Sequence, residues 1–170
     1  MVEVRAAALD DADALGRVHA ASWRVAYAEL GPGFLATVED TERAALWERV
    51  INDPTAHGDV LVAELDGALA GLVNLRRSRD TDAPDHVGEV IALYVAPDAW
   101  GTGCGRALLD AAVGSLEAQG FTEATLWVLD TNRRARRFYE IAGWFTDGES
   151  MQVEWRTAPI REVRYRRSLP

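Results

Sequence analysis

Residues 87–109, VGEVIALYVAPDAWGTGCGRALL, constrain this chain more than any other stretch. An extended apolar run ends at Pro97, a loop carrying Gly101, Gly103 and Gly105 follows, and a helical pattern begins directly behind it. Glycine at every second position lets a backbone lie tight against a ligand and adopt φ angles closed to other residues. A helix starting behind such a loop offers unpaired N–H groups and the positive end of its dipole, which together make an anion site suited to a pyrophosphate. The pattern predicts a strand–loop–helix unit that binds a phosphorylated cofactor.

Two common phosphate loops are excluded. The nucleotide-hydrolase loop requires G-x-x-x-x-G-K-S/T, and counting from Gly101 puts Arg106 and Ala107 where its second glycine and its lysine belong. The dinucleotide fingerprint G-x-G-x-x-G also fails at Arg106, and it normally opens a domain, whereas this loop lies past the middle of the chain. Gly103-x-Gly105, preceded by ALYVAP and followed by RALL, instead resembles the acyl-CoA pyrophosphate loop of the GNAT family of N-acetyltransferases, whose pattern is Q/R-x-x-G-x-G/A. A second stretch, Asp130 to Trp144, reads DTNRRARRFYEIAGW. It is similar to the family's later signature N-x-x-A-x-x-F/L-Y-E-x-x-G-F/W, with every position filled. About one helix and one strand separate the two motifs, which is the family's order. Two positions depart from the pattern: Trp100 stands where Gln or Arg is preferred, and Cys104 where Ile or Val is usual.

Composition fits a bland version of the same reading. The 170 residues, 48% hydrophobic, suit one domain spanning 1–170 with a sizeable core. No apolar stretch reaches membrane-spanning length, and no secretory pattern opens the sequence. One cysteine excludes an internal disulfide and makes the reducing cytoplasm the expected location. The net charge of −9 argues against nucleic acid as a partner and favours a cationic substrate such as an amine. Residues 1–98 carry 18 acids and 8 bases (−10), while residues 99–170 carry 9 acids and 10 bases (+1). The more basic part holds both motifs, as a polyanionic cofactor requires.

The hydrophobic pattern outlines an α/β chain. Val2–Ala8 reads as a strand, and Asp10 is placed to cap a helix with Leu15, Val18, Ser22 and Val25 on one face. Gly31-Pro32-Gly33 breaks that helix; a second, capped by Asp40 or Thr41, carries Leu46, Trp47, Val50 and Ile51. Asp66-Gly67 between DVLVAEL and ALAGLVNL predicts a hairpin. Residues 78–86 form a polar loop before the motif strand. Behind the glycine loop, Leu108, Leu109, Ala112, Val113 and Leu116 share one helical face up to Gln119. A strand over 124–129, a short helix over 132–142 and strands over 150–156 and 160–167 complete the chain. Pattern and resemblance together predict a mixed, mostly antiparallel sheet of about seven strands with a splayed parallel pair, flanked by about four helices.

The resemblance implies acetyl-CoA as cofactor and direct transfer of an acetyl group to a primary amine, either a small molecule or a protein N-terminus. Such chemistry needs a base to deprotonate an ammonium, N–H donors for the developing oxyanion, and an acid for the departing thiolate. Glu89 is the expected base: alternation places it on one face with Ile91, Leu93 and Val95, and burial among apolar groups would raise its pKa. The plainer reading makes it a solvated glutamate at a frayed strand start, with Asp85 and His86 as nearby substitutes. Tyr139 matches the family's sulfur-protonating tyrosine, although it also shares a packed helical face with Ala135, Phe138 and Ala142. Asn132 matches a residue that contacts the pantetheine arm, and asparagine is equally a helix cap.

The resemblance also implies that backbone near Leu93, Tyr94 and Val95 binds the pantetheine arm and the oxyanion. Trp100, Gly101, Thr102, Gly103, Cys104, Gly105 and Arg106 would hold the pyrophosphate, mostly through main-chain N–H groups. Cys104 at a helix start has the placement of a reactive thiol, but a small buried apolar stand-in is the simpler reading. His19 reads as a hydrogen-bonded core or groove residue, and the three histidines have no metal-ligand spacing, so no metal is expected. The RRARR run at 133–137 reads as a solvated helix face, one or two of whose arginines reach a cofactor phosphate. Trp23, Tyr27 and Phe34 fall where the family builds its acceptor pocket, and a homodimer is allowed but not required. Two other readings remain: a non-catalytic acyl-CoA-binding regulatory module, which would need neither Glu89 nor Tyr139, and a transferase for a longer acyl chain.

Overall fold

A computed structural model describes residues 1–155 and 158–170. Seven strands form one sheet: β1 (Val2–Ala6), β2 (Asp59–Leu65), β3 (Ala68–Arg77), β4 (Val87–Val95), β5 (Glu123–Leu129), β6 (Phe145–Trp155) and β7 (Ala158–Ser168). Their order is β1-β2-β3-β4-β5-β7-β6, antiparallel throughout except for the β4–β5 pair. The expected strand over 150–156 is longer than its pattern at the front, and its end at 156 lies outside the described residues.

The β2–β3 hairpin forms at the Asp66-Gly67 pair, with φ of 51° and 84°. Two successive positive φ values give the turn that matches the strands' right-handed twist. On one face of the sheet lie α1 (Ala12–Ala26), the short α2 (Gly31–Leu35), α3 (Asp40–Asn52) and the single turn α4 (Pro54–His57). The other face carries α5 (Cys104–Ala118) and α6 (Arg133–Ile141). Two of these six helices are short pieces at Pro32 and Pro54, where proline pre-sets the first helical turn without a clear sequence period.

The apolar stripes explain the layers. Leu108, Leu109, Ala112 and Leu116 of α5 pack with Val73, Leu75, Val90 and Leu126 of the sheet. Across the sheet, Leu15 of α1 and Trp47 and Val50 of α3 meet Val60, Val62 and Leu72. Gly16 lets α1 and α3 touch, because a Cβ there would fall 2.6 Å from the Ala44 nitrogen and the Asp40 carbonyl oxygen.

Three local expectations are corrected. Helix α1 starts at Ala12 behind Asp11, not behind Asp10; Asp11 accepts the Ala8 N–H (2.7 Å) and pairs with Arg5 (2.8 Å). Asp40 is the first residue of α3, with Glu39 ahead of it, and its carboxylate holds Arg24 (2.8 Å) instead of a cap. Val25 is 49% exposed, because the buried stripe of α1 runs through Leu15, His19, Ser22 and Trp23.

Candidate active site

The site begins where β4 and β5 part. Their parallel ladder runs only from Val87–Glu123 to Val90–Leu126. Beyond it β4 stays paired with β3 as far as Val95, and β5 stays paired with β7 as far as Leu129. A notch therefore opens between Ile91–Val95 and 127–129. Antiparallel strands bond through alternate residues. Ala96 donates to the Ala70 carbonyl on β3 (2.8 Å), so Tyr94 also turns its main chain to β3, while Leu93 and Val95 turn theirs to the notch. The Val95 carbonyl is already taken by Ser22 Oγ (2.9 Å) and Trp100 Nε1 (2.8 Å). Main-chain groups of Leu93 and the Val95 N–H are what β4 leaves for a ligand.

A β-bulge decides which side chains face which way. Asn74 pairs with Ala92 and Leu75 with Val90, so Ile91 is an extra residue on β4. Bulges re-aim side chains and recur beside active sites. Here the alternation inverts: Gly88 and Val90 face α5, and so do Leu93 and Val95, while Ala92 and Tyr94 pack on the α1 side. The expectation that Glu89 shares a face with Leu93 and Val95 is wrong for this reason. A uniform period of two does not survive an inserted residue.

At the mouth of the notch the glycine loop holds its shape through Gly101 (φ 79°) and Gly103 (φ 95°), both in the left-handed region. A Cβ on either would meet nothing within 4 Å, so the space above the loop is open. Gly105 has a different role: it is the second residue of α5, facing Phe138 and Val95 at 3.6 Å, not a positive-φ position. The first backbone bond of α5 runs from Ala107 N–H to the Gly103 carbonyl (2.9 Å), and Gly103 provides no side-chain cap. Among the described residues, the N–H groups from Gly101 to Arg106 point at no protein acceptor. A run of free N–H groups at a helix start fits a pyrophosphate.

Trp100 replaces the family's polar side chain with a shelf. Its indole is fixed by the Val95 carbonyl, and the Arg134 guanidinium lies 3.2 Å from its ring centroid. Arg134 reaches the loop from the first turn of α6. Asn132 caps that helix, its Oδ1 accepting the Ala135 N–H (3.1 Å). Cys104 is 0% exposed and accepts a contact from Thr102 Oγ1 (3.3 Å), which leaves the apolar stand-in reading and removes an accessible thiol.

Tyr139 sits in the core beneath the notch, edge-on to Phe138 with ring centroids 5.3 Å apart. Burial pushes its phenol pKa well above the ordinary value, and the nearby Tyr94 phenol adds to that shift. The group stays protonated across the physiological range.

Glu89 is 2% exposed, but it is not among apolar groups alone. Arg79, in the loop 78–86, clamps it: the Arg79 backbone N–H (3.0 Å) and Nε (3.3 Å) donate to one carboxylate oxygen and Nη2 (2.9 Å) to the other. The loop is held down by buried Arg164, which pairs with Asp80 (3.1 Å), Asp82 (2.9 Å) and Asp147 (2.8 Å). No local signal in the sequence announces Arg79. Asp85 and His86 are exposed and precede Val87, at the closed end of the β4–β5 pair.

Of the three aromatic residues expected on the acceptor side, Trp23 (6% exposed) and Phe34 (2%) pack into a core cluster with Ala20 and Val38. Tyr27 is half-buried and packs against the same cluster. His19 stacks on Tyr94 with centroids 4.3 Å apart. Among the described residues neither of its ring nitrogens has a hydrogen-bond partner, contrary to the hydrogen-bonded reading. Burial, with Arg43 nearby, lowers its pKa to about 3 and keeps it neutral.

The comparisons with known proteins agree with this geometry. The family model described as "Acetyltransferase (GNAT) family" matches residues 23–144. An uncharacterized N-acetyltransferase of Archaeoglobus fulgidus is 33% identical over 143 residues, covering 81% of this chain and 89% of that protein. A mycothiol acetyltransferase of Geodermatophilus obscurus is 40% identical over 77 residues, covering 45% of this chain; the match spans only 24% of that longer protein. Among solved structures, the PaiA N-acetyltransferase from Thermoplasma acidophilum in complex with coenzyme A superposes with a TM-score of 0.76 at 19% identity, over 99% of both chains. No helix among the described residues is long and apolar enough to cross a membrane. Motifs, notch and family match converge: the chain belongs to the acetyltransferase (GNAT) family and is an acyltransferase with acetyl-CoA as its cofactor.

Proposed function

We propose that this chain moves the acetyl group of acetyl-CoA directly to a primary amine, on a small molecule or a protein N-terminus, with residues 1–170 acting as one catalytic domain. The observation that carries this is the meeting of three features at one notch: the unpaired edge of β4, the free N–H groups of 101–106 and the buried Tyr139 phenol. When bound, acetyl-CoA supplies an acetyl group activated as a thioester. Gly101 to Arg106 would hold its pyrophosphate through main-chain N–H groups beside the Trp100 ring, with Arg134 adding a positive charge from the Trp100 shelf. Leu93 and Val95 would pair with the pantetheine arm as an added strand does, and an N–H there would polarise the acetyl carbonyl. Asn132 keeps its amide N–H groups available to the same arm while its oxygen caps α6.

Tyr139 would donate its proton to the departing sulfur. Glu89 can reach an acceptor proton only through a water, because Arg79 already engages both of its oxygens. Cys104, fully buried, is unsuited to carry an acyl group, which favours direct transfer.

The test is acetyl-CoA turnover, followed by thiol release, against primary amines and short peptides with varied N-termini. Turnover with one acceptor class is expected. Tight CoA binding by calorimetry with no turnover on any acceptor would instead identify a regulatory acyl-CoA-binding module, and turnover only with longer thioesters would reassign the acyl group.

A further inference from the structure

Glu89 has no freely presented oxygen, yet an ammonium must lose a proton at this notch. A second carboxylate shares its face. Residues two apart along a strand point the same way. Glu89 stands opposite Thr125 of β5; two and four residues further on, Trp127 and Leu129 stand opposite Arg164 and Glu162 of β7. On its other side Glu162 pairs with Met151 of β6. The intervening residues Val128, Val163 and Tyr165 belong to the core on the α5 face, so Glu162 looks toward α1, as Glu89 does. Leu129 lies three residues beyond Leu126, where the ladder ends, which puts Glu162 beside the open part of the notch. Next to it an open depression of about 480 Å³ is lined by Arg79, Asp82, Trp127, Glu149 and Met151 among others.

The groups around Glu162 are accounted for. Arg164 is filled by Asp80, Asp82 and Asp147, and Arg161 faces Asp130 and Ser150. Glu89 comes from β4 and Arg79 from the loop, and both charges act on Glu162; the neutral phenols of Tyr94, on β4, and Tyr27, just past α1, lie near enough for Glu162 to raise their pKa. Among the described residues no hydrogen bond or salt bridge engages the Glu162 carboxylate, unlike that of Glu89.

We propose that Glu162 receives the ammonium group of the acceptor and takes its proton, while Arg79 and Glu89 act as a fixed ion pair beside it. One arginine against two carboxylates leaves one negative charge, which selects a cationic acceptor. Partial burial raises the Glu162 pKa above the ordinary glutamate value despite Arg79, as suits a base. The proton count closes. Glu162 takes one ammonium proton and passes it to solvent through the depression. As the C–N bond forms and the C–S bond breaks, Tyr139 protonates the sulfur, and the second N–H proton restores Tyr139. This assignment rests on the acetyl transfer proposed above and replaces Glu89 by Glu162 as the direct proton acceptor.

The test compares wild type, Glu162→Gln and Glu162→Asp with tyramine, spermidine and a short alanine peptide as acceptors, alongside CoA calorimetry and thermal melting. Glu162→Gln should bind CoA and melt like wild type. Its kcat/KM should fall about 100-fold, with KM for the amine raised and the acid limb of the pH profile lost. Glu162→Asp should recover part of the rate and retain that limb at a shifted position. An active wild type whose kcat/KM and acid limb survive Glu162→Gln would overturn the assignment and leave acetyl transfer standing. A wild type that binds CoA but acetylates none of the acceptors would overturn both.

Discussion

The proposed cofactor side of the notch consists of consecutive main chain, residues 101–106 and one edge of β4, with Tyr139 and Arg134 arriving together on α6. The proposed acceptor side draws on side chains from β4, β7, the end of α1 and the loop 78–86, brought together across as many as 135 residues between Tyr27 and Glu162. Trp100 and Cys104 depart from the family pattern in the first region without removing its donors, which are backbone N–H groups. In the second, Arg79 holds Glu89 and three aspartates hold Arg164, while among the described residues the Glu162 carboxylate has no such partner. Under the proposed function a shared cofactor fixes the first, and the second defines the acceptor.

Four experiments probe the difference between the two regions. Gly103→Glu should have the largest effect. It forces a side chain into a left-handed position (φ 95°) at a backbone cost of ~1–2 kcal/mol and adds an anion where one must bind. CoA affinity measured by calorimetry should drop at least about 100-fold, consistent with that strain plus charge repulsion; wild-type affinity would remove the loop from the cofactor site. Tyr139→Phe should lower kcat by about 100-fold with CoA affinity retained. Because burial raises its pKa, Tyr139 should contribute no alkaline limb to the kcat profile below pH of about 10.

Stacked on Tyr94, His19 has a folded pKa of about 3 against an ordinary 6.5. Below that ordinary value the unfolded chain binds a proton that the folded chain refuses, so stability should decline as pH falls from 6.5 toward 3. Thermal melts of His19→Phe should be flatter over that window; an unchanged slope would mean that His19 is not the group responsible. Asn132→Ala should give the smallest effect, about 1 kcal/mol from the lost cap, or roughly 2–4 °C in Tm. A simultaneous loss of CoA affinity would show that the same side chain also touches the cofactor.

Legibility follows the range of the interactions. Asp66-Gly67, Gly101, Gly103 and the cap at Asn132 obey rules confined to a few residues, and each performs the backbone task that its type suggests. Glu162 left a faint trace, an acid set among arginines in REVRYRR, but nothing local tells which face of β7 it takes. Phe34 beside Gly-Pro-Gly looks like a pocket wall until Trp23 and Val38 close around it. Gly105 looks equivalent to Gly103, yet helix α5 has already begun there.

The alternation of strand and helix over 87–145, the glycine loop ahead of α5 and the family were all legible in the sequence, because these depend on short-range backbone preferences and contiguous motifs. Tertiary structure alone decided the inversion at Ile91, the Arg79 clamp on Glu89 and the place of Glu162 beside the notch. An inserted residue declares itself only against the register of a neighbouring strand. A buried charge acquires its role from whichever partner the folded chain carries to it.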